Sequence, residues 1–293
     1  MVAERSVLDF YTQSAEMTSA GNHAAGFAAL PHDIAGLARV AQGLYLHEHI
    51  AENYGVAIAN ERRSEVHIRA NARRLDCLLS RDGRPLSSAR QPDQRLIANC
   101  RHFSVLLVAM LRNQGVPARA RCGFATYFEP GRFIDHWVCE YWDADQARWL
   151  LVDAQIDDLQ QALFKTDFDL LDVPRDRFVI AGDAWAQCRA GKADPETFGI
   201  LDMHGLWFIA GNLVRDVAAL NNVEMLPWDV WRAMPQPGEP LSDEQLAFFD
   251  RLAALTHEPD AAFAELHALY EGDDRLRVPT TVFNAVLNRP EAL

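Results

Sequence analysis

The sequence has few cysteines and no long hydrophobic run. Its 293 residues include five cysteines, an odd number without CxxC spacing. That pattern predicts neither a disulfide framework nor a zinc site, and it favours free thiols in a reducing compartment. No apolar run approaches the length of a transmembrane helix, and the first residues lack the apolar stretch of a signal peptide. We therefore expect a cytoplasmic protein that does not enter a membrane.

Positive charge is also scarce. Lysine and arginine number 28 against 41 aspartates and glutamates, which gives a formal net charge of −13. Such a balance disfavours binding to nucleic-acid phosphates and to anionic lipid surfaces. Hydrophobic residues make up 49% of the chain, enough for a sizeable core in one large domain or two small ones.

Apolar spacing predicts helices at both ends of the chain and strands in the middle. Helical spacing runs from Pro31 to about Asn53 and ends at Gly55. Strand-like segments occupy the region between about 117 and 153, so the predicted class is α+β. We expect one compact unit with three parts: a helical N-terminal part of the core at 1–95, a catalytic core at 96–181, and a helical C-terminal extension packed on the core at 182–293.

Cys100 opens the most apolar helical run of the chain, which Gly115 and Pro117 close. The unpaired N–H groups and the dipole at a helix N-terminus favour negative charge. A thiolate is stabilised there and becomes a usable nucleophile. Most free cysteines are simply small buried side chains, but the position at the helix start favours a catalytic role for Cys100.

His136 and Asp153 are candidate partners of this cysteine. Residues 133–142 and 148–153 are rich in aromatic and β-branched residues and predict two strands of a hairpin. If 143–146 form the loop, Trp142 pairs with Ala147 and His136 lies directly opposite Asp153, on one face of the sheet. A carboxylate there fixes the tautomer of the imidazole. A loop longer by one residue would place the two on opposite faces.

The order of these motifs resembles the transglutaminase-like superfamily of papain-type folds. The segments that carry the resemblance are 99–103, 135–138 and 151–153, with 115–119 between the helix and the first strand. The resemblance covers about a quarter of the chain. More narrowly, the chain is similar to uncharacterised bacterial transglutaminase-like proteins. It implies a buried helix that begins at the cysteine, packed on a small antiparallel sheet, with Cys100, His136 and Asp153 as a catalytic triad.

Four further residues are weaker candidates. Gln94 precedes Cys100 by the offset at which papain-type enzymes hold an oxyanion donor, although an exposed loop glutamine is an equally good interpretation. Arg119 and Arg121 share a strand face and form either a cationic substrate subsite or ion pairs with acidic residues, of which we favour the ion pairs. Trp137 could line the acyl site, but a core position is the more common one for tryptophan.

The sequence thus predicts a cysteine-dependent acyl-transfer enzyme acting on a small-molecule or peptide amide. Amide hydrolysis is the expected reaction, and transfer to an amine, as in a transglutaminase or an amide-forming acyltransferase, is the alternative. A non-catalytic binding module on the same fold is a further alternative, although all three triad members are present. The histidines and cysteines show no metal-ligand spacing and no calcium loop is evident, so we expect no cofactor.

Overall fold

The structure is a computed structural model that describes residues 4–293. Ten α-helices and eleven strands occur in those residues. The helices are α1 (Arg5–Thr12), α2 (Ala24–Ala28), α3 (Ile34–Leu44), α4 (Asn71–Arg81), α5 (Cys100–Asn113), α6 (Asp158–Phe164), α7 (Ala181–Arg189), α8 (Leu206–Leu220), α9 (Asp243–His257) and α10 (Phe263–Gly272). The strands are β1 (Tyr45–His47), β2 (Leu96–Ala98), β3 (Ala118–Ala125), β4 (Phe133–Asp143), β5 (Arg148–Val152), β6 (Phe178–Ile180), β7 (Phe198–Ile200), β8 (Met203–His204), β9 (Asp229–Val230), β10 (Thr281–Asn284) and β11 (Arg289–Ala292).

The chain divides into two units, with one boundary within β3, one within β4 and a third after Val173. The first unit contains the chain up to Ala120 together with Val138–Val173. Its central element is α5, which is buried along almost its whole length and contacts α1, α2, α3, α4 and β2. Arg112 in α5 donates from Nε to the carbonyl of Ala118 at 2.8 Å, which ties the helix to the start of β3.

The second unit contains Arg121–Trp137 and Pro174–Leu293. The main sheet of the protein has six strands: five have the order β6-β3-β4-β7-β8, and β5 pairs with β4. Strands β4 and β7 are parallel, and the β3–β6, β4–β5 and β7–β8 pairs are antiparallel. A three-stranded sheet has the order β11-β10-β9. Helices α7, α8 and α9 pack on one another, and α8 is apolar and buried over most of its length.

The predicted α+β class is confirmed, and residues 4–293 mix helix with sheet throughout. One difference is that the main sheet is not purely antiparallel, because β7 joins β4 in parallel. Within residues 4–293, no helix combines the length and the apolar character that crossing a membrane requires. The three-part division at residues 95 and 181 stays a prediction.

The helix predicted from Pro31 to Asn53 is interrupted. Helix α3 ends at Leu44, β1 follows, and residues Glu48–Tyr54 form a 3-10 helix. Strand β1 pairs in parallel with β2, from Tyr45 opposite Leu96 to His47 opposite Ala98. Because the partner strand lies about 50 residues away in the sequence, no local periodicity reveals this pairing. The predicted end at Gly55 is confirmed, since Gly55 adopts a left-handed conformation with φ of 74°.

The predicted hairpin register is wrong by two residues. Trp142 pairs with Trp149 rather than Ala147, and Asp143 pairs with Arg148. The Asp143 carboxylate accepts hydrogen bonds from the backbone N–H groups of Asp145 and Gln146, both at 2.9 Å, and so starts the turn one residue later than predicted. His136 is therefore not directly opposite Asp153 along the ladder. A shift of two residues, unlike a shift of one, leaves each side chain on its predicted face.

Candidate functional site

Cys100 is the first residue of α5, as predicted. Strand β2 leads into Asn99, which is the N-cap of the helix in an extended conformation. Cys100 is buried, with 7% of its surface exposed, and its carbonyl accepts a hydrogen bond from Ser104 Oγ at 3.1 Å. The thiol therefore lies at the positive end of the helix dipole, sheltered from bulk solvent.

His102 is fixed as a structural residue. Its Nδ1 accepts from the backbone N–H of Asn99 at 3.1 Å, so the ring proton is on Nε2, which contacts the carbonyl of Ile68 at 3.2 Å. Burial, together with the nearby charges of Arg74 and Arg101, holds the pKa of His102 well below its usual range. The ring is neutral at physiological pH, and both of its nitrogens are engaged in holding the start of α5.

His136 lies in β4, in the second unit, and only 2% of its surface is exposed. Three aromatic rings surround the imidazole: Phe128 at 4.9 Å between centroids, Tyr127 at 6.0 Å and Phe178 at 6.3 Å, each edge-on. These contacts restrict rotation of the imidazole and exclude water from its faces. Of these three rings, only Tyr127 and Phe128 are near His136 in the sequence, so the contact with Phe178 could not be predicted from neighbouring residues.

Asp135, the neighbour of His136, anchors β4 within the second unit. Its Oδ1 accepts from Asn212 Nδ2 in α8 at 2.8 Å. Burial raises the pKa of Asp135, although the nearby charge of Arg215 opposes that shift. Since Asp135 and His136 point to opposite faces of the strand, this anchor fixes the backbone without occupying the imidazole.

Asp153 follows directly after β5, in the first unit, and 2% of its surface is exposed. Its backbone N–H donates to the carbonyl of Leu170 at 2.9 Å, and its Oδ1 accepts from the backbone N–H of Gln155 at 3.0 Å. The carboxylate is thus held at the end of a strand by its own turn, the arrangement expected for a common strand-ending aspartate. The same arrangement gives a buried, rigid carboxylate.

A hydrogen-bonded network extends from this turn. Gln155 donates from Nε2 to Gln160 Oε1 at 3.1 Å, and Gln160 donates from Nε2 to the Tyr54 hydroxyl at 3.0 Å. Tyr54 in turn donates to Asp157 Oδ1 at 2.7 Å. Burial and the bond to Asp157 raise the pKa of Tyr54, so the phenol stays protonated. This network stiffens the segment after β5, and the sequence gives no indication of it.

Arg119 belongs to a buried ion pair. Its Nε lies 2.6 Å from Glu140 Oε2, with side-chain exposures of 2% and 1%. The guanidinium also stacks on the rings of Trp149, at 4.0 Å from the centroid, and Tyr11, at 4.9 Å. The ion-pair interpretation therefore describes Arg119.

Arg121 makes a second buried ion pair, within the other unit. Its Nε donates to Asp216 Oδ1 at 3.0 Å and its Nη2 to Oδ2 at 2.9 Å. Nη2 also donates to the carbonyl of Thr256 at 3.0 Å, and Asp216 Oδ1 accepts from the backbone N–H of Cys122. Both side chains are 1% exposed or less. Since neither Arg119 nor Arg121 is open to solvent, we include neither in the proposed site.

Gln94 and Trp137 lie in contrasting surroundings. Gln94 ends the 3-10 turn Pro92–Gln94, is exposed, and accepts from Arg84 Nη2 at 3.2 Å. It lines an open surface pocket together with charged residues, including Glu61, Arg81 and Asp93. Trp137 is fully buried in β4. The structure thus gives Gln94 the surroundings of an exposed loop residue and Trp137 those of a core residue.

Glu48 is a half-buried carboxyl group at the end of β1. The last residue of β1, His47, pairs with Ala98, two residues before Cys100. Burial raises the pKa of Glu48 to about 7, and the nearby charge of Arg63 only partly offsets that shift. Burial also lowers the pKa of His49. Burial in the segment after β1 therefore favours the neutral forms of Glu48 and His49.

We expect the Glu48→Gln variant to be more stable than the wild type at pH 8, by about 1–2 kcal/mol after allowance for partial solvent screening. A carboxyl whose pKa is raised on folding binds its proton more tightly in the folded state. Its contribution to stability is therefore lost as the pH rises from about 4.5 to about 7. The gain should largely vanish at pH 5. Urea unfolding at both pH values measures this, with the exposed Glu52→Gln as the control; equal gains at the two pH values would contradict it.

Comparison with known families matches residues 38–154 to the transglutaminase-like superfamily. The matched segment contains Cys100, His136 and Asp153, and it confirms the resemblance drawn from the sequence. Curated proteins give no match to the chain. Among solved structures, the chain is similar to one described as "Putative Cysteine Protease from Cytophaga hutchinsonii", with a TM-score of 0.34 and 14% identity. That similarity covers 62% of this chain and 50% of the other, so the chain spans half the length of that protein.

Proposed function

We propose, from the premise that residues 38–154 carry a transglutaminase-like core, that this protein is an enzyme that transfers acyl groups through Cys100. The observation that carries the proposal is the position of Cys100 at the first turn of the buried helix α5, within the matched segment. A thiol in the middle of that helix would have only a packing role. His136 is the proposed acid and base, and Asp153 is the proposed orienting carboxylate.

The proposed reaction begins with attack of the Cys100 thiolate on the carbonyl carbon of an amide. A C–S bond forms, and the negative charge of the tetrahedral intermediate collapses to break the C–N bond. The proton of the His136 imidazolium goes to the leaving amine. Water then attacks the thioester carbonyl while His136 takes up its proton. Collapse of this second tetrahedral intermediate breaks the C–S bond, which releases a carboxylic acid and restores the Cys100 thiolate and the His136 imidazolium. Amide hydrolysis is the net result.

The role proposed for Asp153 is supported by the surroundings of its carboxylate. The ladder of β4 and β5 ends at the pair Cys139 with Val152, and Asp153 follows directly. Its N–H donates to the carbonyl of Leu170, and its buried carboxylate accepts from the Gln155 N–H. A buried, rigid carboxylate is the kind of group that orients a catalytic imidazole.

The proposal is tested by chemical labelling of the five cysteines. We expect iodoacetamide to alkylate Cys100 faster than any other cysteine at pH 7, as followed by peptide mass spectrometry. Burial raises the pKa of the thiols of Cys139 and Cys188, the latter to about 11, so both should react slowly. Incubation with p-nitrophenyl acetate should place an acetyl group on Cys100. Acetylation of another residue, or none, would overturn the proposal.

Asp153→Asn should lower kcat by about 100- to 10,000-fold while KM changes little, because the amide favours the wrong imidazole tautomer. Folding should be retained, because asparagine keeps the Oδ1 acceptor for the Gln155 N–H. Steady-state kinetics on an activated amide, with thermal unfolding in parallel, measures both effects.

The exposed Asp158→Asn is the matched control for this variant and should keep wild-type activity. An unchanged kcat in Asp153→Asn would remove Asp153 from the mechanism. A loss of activity that follows the loss of folded protein would assign it a purely structural role.

The choice between water and an amine as acceptor is tested separately. With p-nitrophenyl acetate as donor, we expect acetate as the main product. Formation of the N-acetyl amine on addition of a primary amine, at a rate above that of the hydrolysis, would instead support the amide-forming alternative.

A further inference from the structure

The Asn99 side chain is deeply buried beside the candidate nucleophile. Only 4% of its surface is exposed. Its backbone is fully engaged: the N–H donates to His102 Nδ1 at 3.1 Å, and the carbonyl accepts from the His102 backbone N–H at 3.0 Å. The backbone of Asn99 is therefore fixed by the first turn of α5.

Neither polar atom of that carboxamide has a hydrogen-bond partner within residues 4–293. An asparagine at an N-cap ordinarily accepts from the backbone N–H of the second or third helical residue. Here the His102 N–H already donates to the Asn99 carbonyl, and Asn99 makes no side-chain cap bond. Helix capping thus does not account for this residue. Buried polar groups are almost always paired, so an unpaired carboxamide at this position calls for an explanation.

The exposed Gln94 offers a contrast. Its amide oxygen already accepts from Arg84 at the surface, whereas the Asn99 carboxamide is buried next to Cys100 with one donor group and one acceptor group unused. A donor beside the nucleophile is what the oxygen of a tetrahedral intermediate requires.

We propose that the Asn99 carboxamide binds the carbonyl group that Cys100 attacks, donating from its N–H to the oxygen that becomes the oxyanion. This inference rests on the proposed acyl-transfer function. The carboxamide oxygen is then available to accept from an N–H of the substrate, which favours a substrate that carries an amide over a simple ester. Asn99 is in this view a catalytic residue, since it contacts the reacting carbonyl.

The test compares two reactions of Cys100. Alkylation by iodoacetamide needs the thiolate but forms no oxyanion, whereas acylation by p-nitrophenyl acetate proceeds through one. We expect Asn99→Ala to slow acylation by about 100- to 1,000-fold and to leave alkylation within a few-fold of the wild-type rate. Asn99→Asp, which replaces the donor with a negative charge, should slow acylation at least as much. Asn113→Ala, at the exposed far end of α5, is the control and should leave both rates unchanged.

Each other outcome has a distinct meaning. Unchanged acylation in both Asn99 variants overturns the role of Asn99 while Cys100 acylation stands. Equal losses in alkylation and acylation overturn it as well, because Asn99 would then act only on the placement of Cys100. A wild-type protein that is not acylated at Cys100 refutes the proposed function itself. Thermal unfolding of both variants separates these results from misfolding.

Discussion

Replacement of Cys100 by serine is expected to abolish turnover, with a loss of at least about 1,000-fold in kcat. A serine hydroxyl at the start of α5 does not ionise near neutral pH. The helix N-terminus therefore has no thiolate to stabilise, and the site lacks its nucleophile. The fold should be preserved, because serine is close in size to cysteine and fits the same position, where 7% of the surface of Cys100 is exposed. Steady-state hydrolysis of p-nitrophenyl acetate by the variant and by the wild type measures the loss in kcat.

The matched control is Cys188→Ser. Cys188 is a half-buried thiol, and burial raises its pKa to about 11, so it is protonated at neutral pH. This variant should keep wild-type activity. If Cys188→Ser loses activity and Cys100→Ser keeps it, the nucleophile has been assigned to the wrong cysteine.

Breaking the Arg121–Asp216 pair is expected to cost about 3–5 kcal/mol of unfolding free energy. The pair is buried, with both charges inside the second unit, so Asp216→Asn leaves the Arg121 guanidinium without a counter-charge. The asparagine side chain of this variant retains one acceptor oxygen, which isolates the loss of charge from the loss of all hydrogen bonding. Urea unfolding followed by circular dichroism gives the difference.

A double variant separates pairing from simple burial. Arg121→Met with Asp216→Asn should cost less than the sum of the two single variants, because the second change removes the charge that the first left unpaired. Arg189→Met breaks an exposed pair with Asp250 in the same unit and should cost far less. Equal losses in Arg121→Met and Arg189→Met would mean that burial does not govern the pair. A large change in KM with little change in stability would instead favour a cationic subsite at Arg121.

The sequence was sufficient to predict both ends of α5. Cys100 begins the helix and Gln114 follows its last residue, close to the predicted limits. Helix limits depend on neighbours in the chain, namely the N-cap residue, the apolar period and the following glycine, so a single sequence carries them. The N-cap at Ser242 is equally local, since its hydroxyl accepts from the Gln245 N–H three residues later.

The strand positions were predictable, but their register was not. The composition of β4 and β5 identifies both strands. The pairing depends on where the turn begins, and the Asp143 side chain decides that by accepting two backbone N–H groups. A difference of one or two residues in a loop changes every partner in the ladder. The sequence therefore predicts the face of the strand on which His136 or Asp153 lies, but it does not predict which residue pairs with which across the ladder.

By itself the sequence determined the order of the candidate residues and the type of element in which each of them lies, because helix starts and strand composition are local properties. Only the tertiary structure decided what surrounds them. It placed aromatic rings around His136, gave Arg119 and Arg121 their carboxylates, and buried the Asn99 carboxamide without a partner among residues 4–293. These contacts join residues that are up to about 95 positions apart in the chain. Burial and pairing at such separations follow from how the elements pack, which no local pattern encodes.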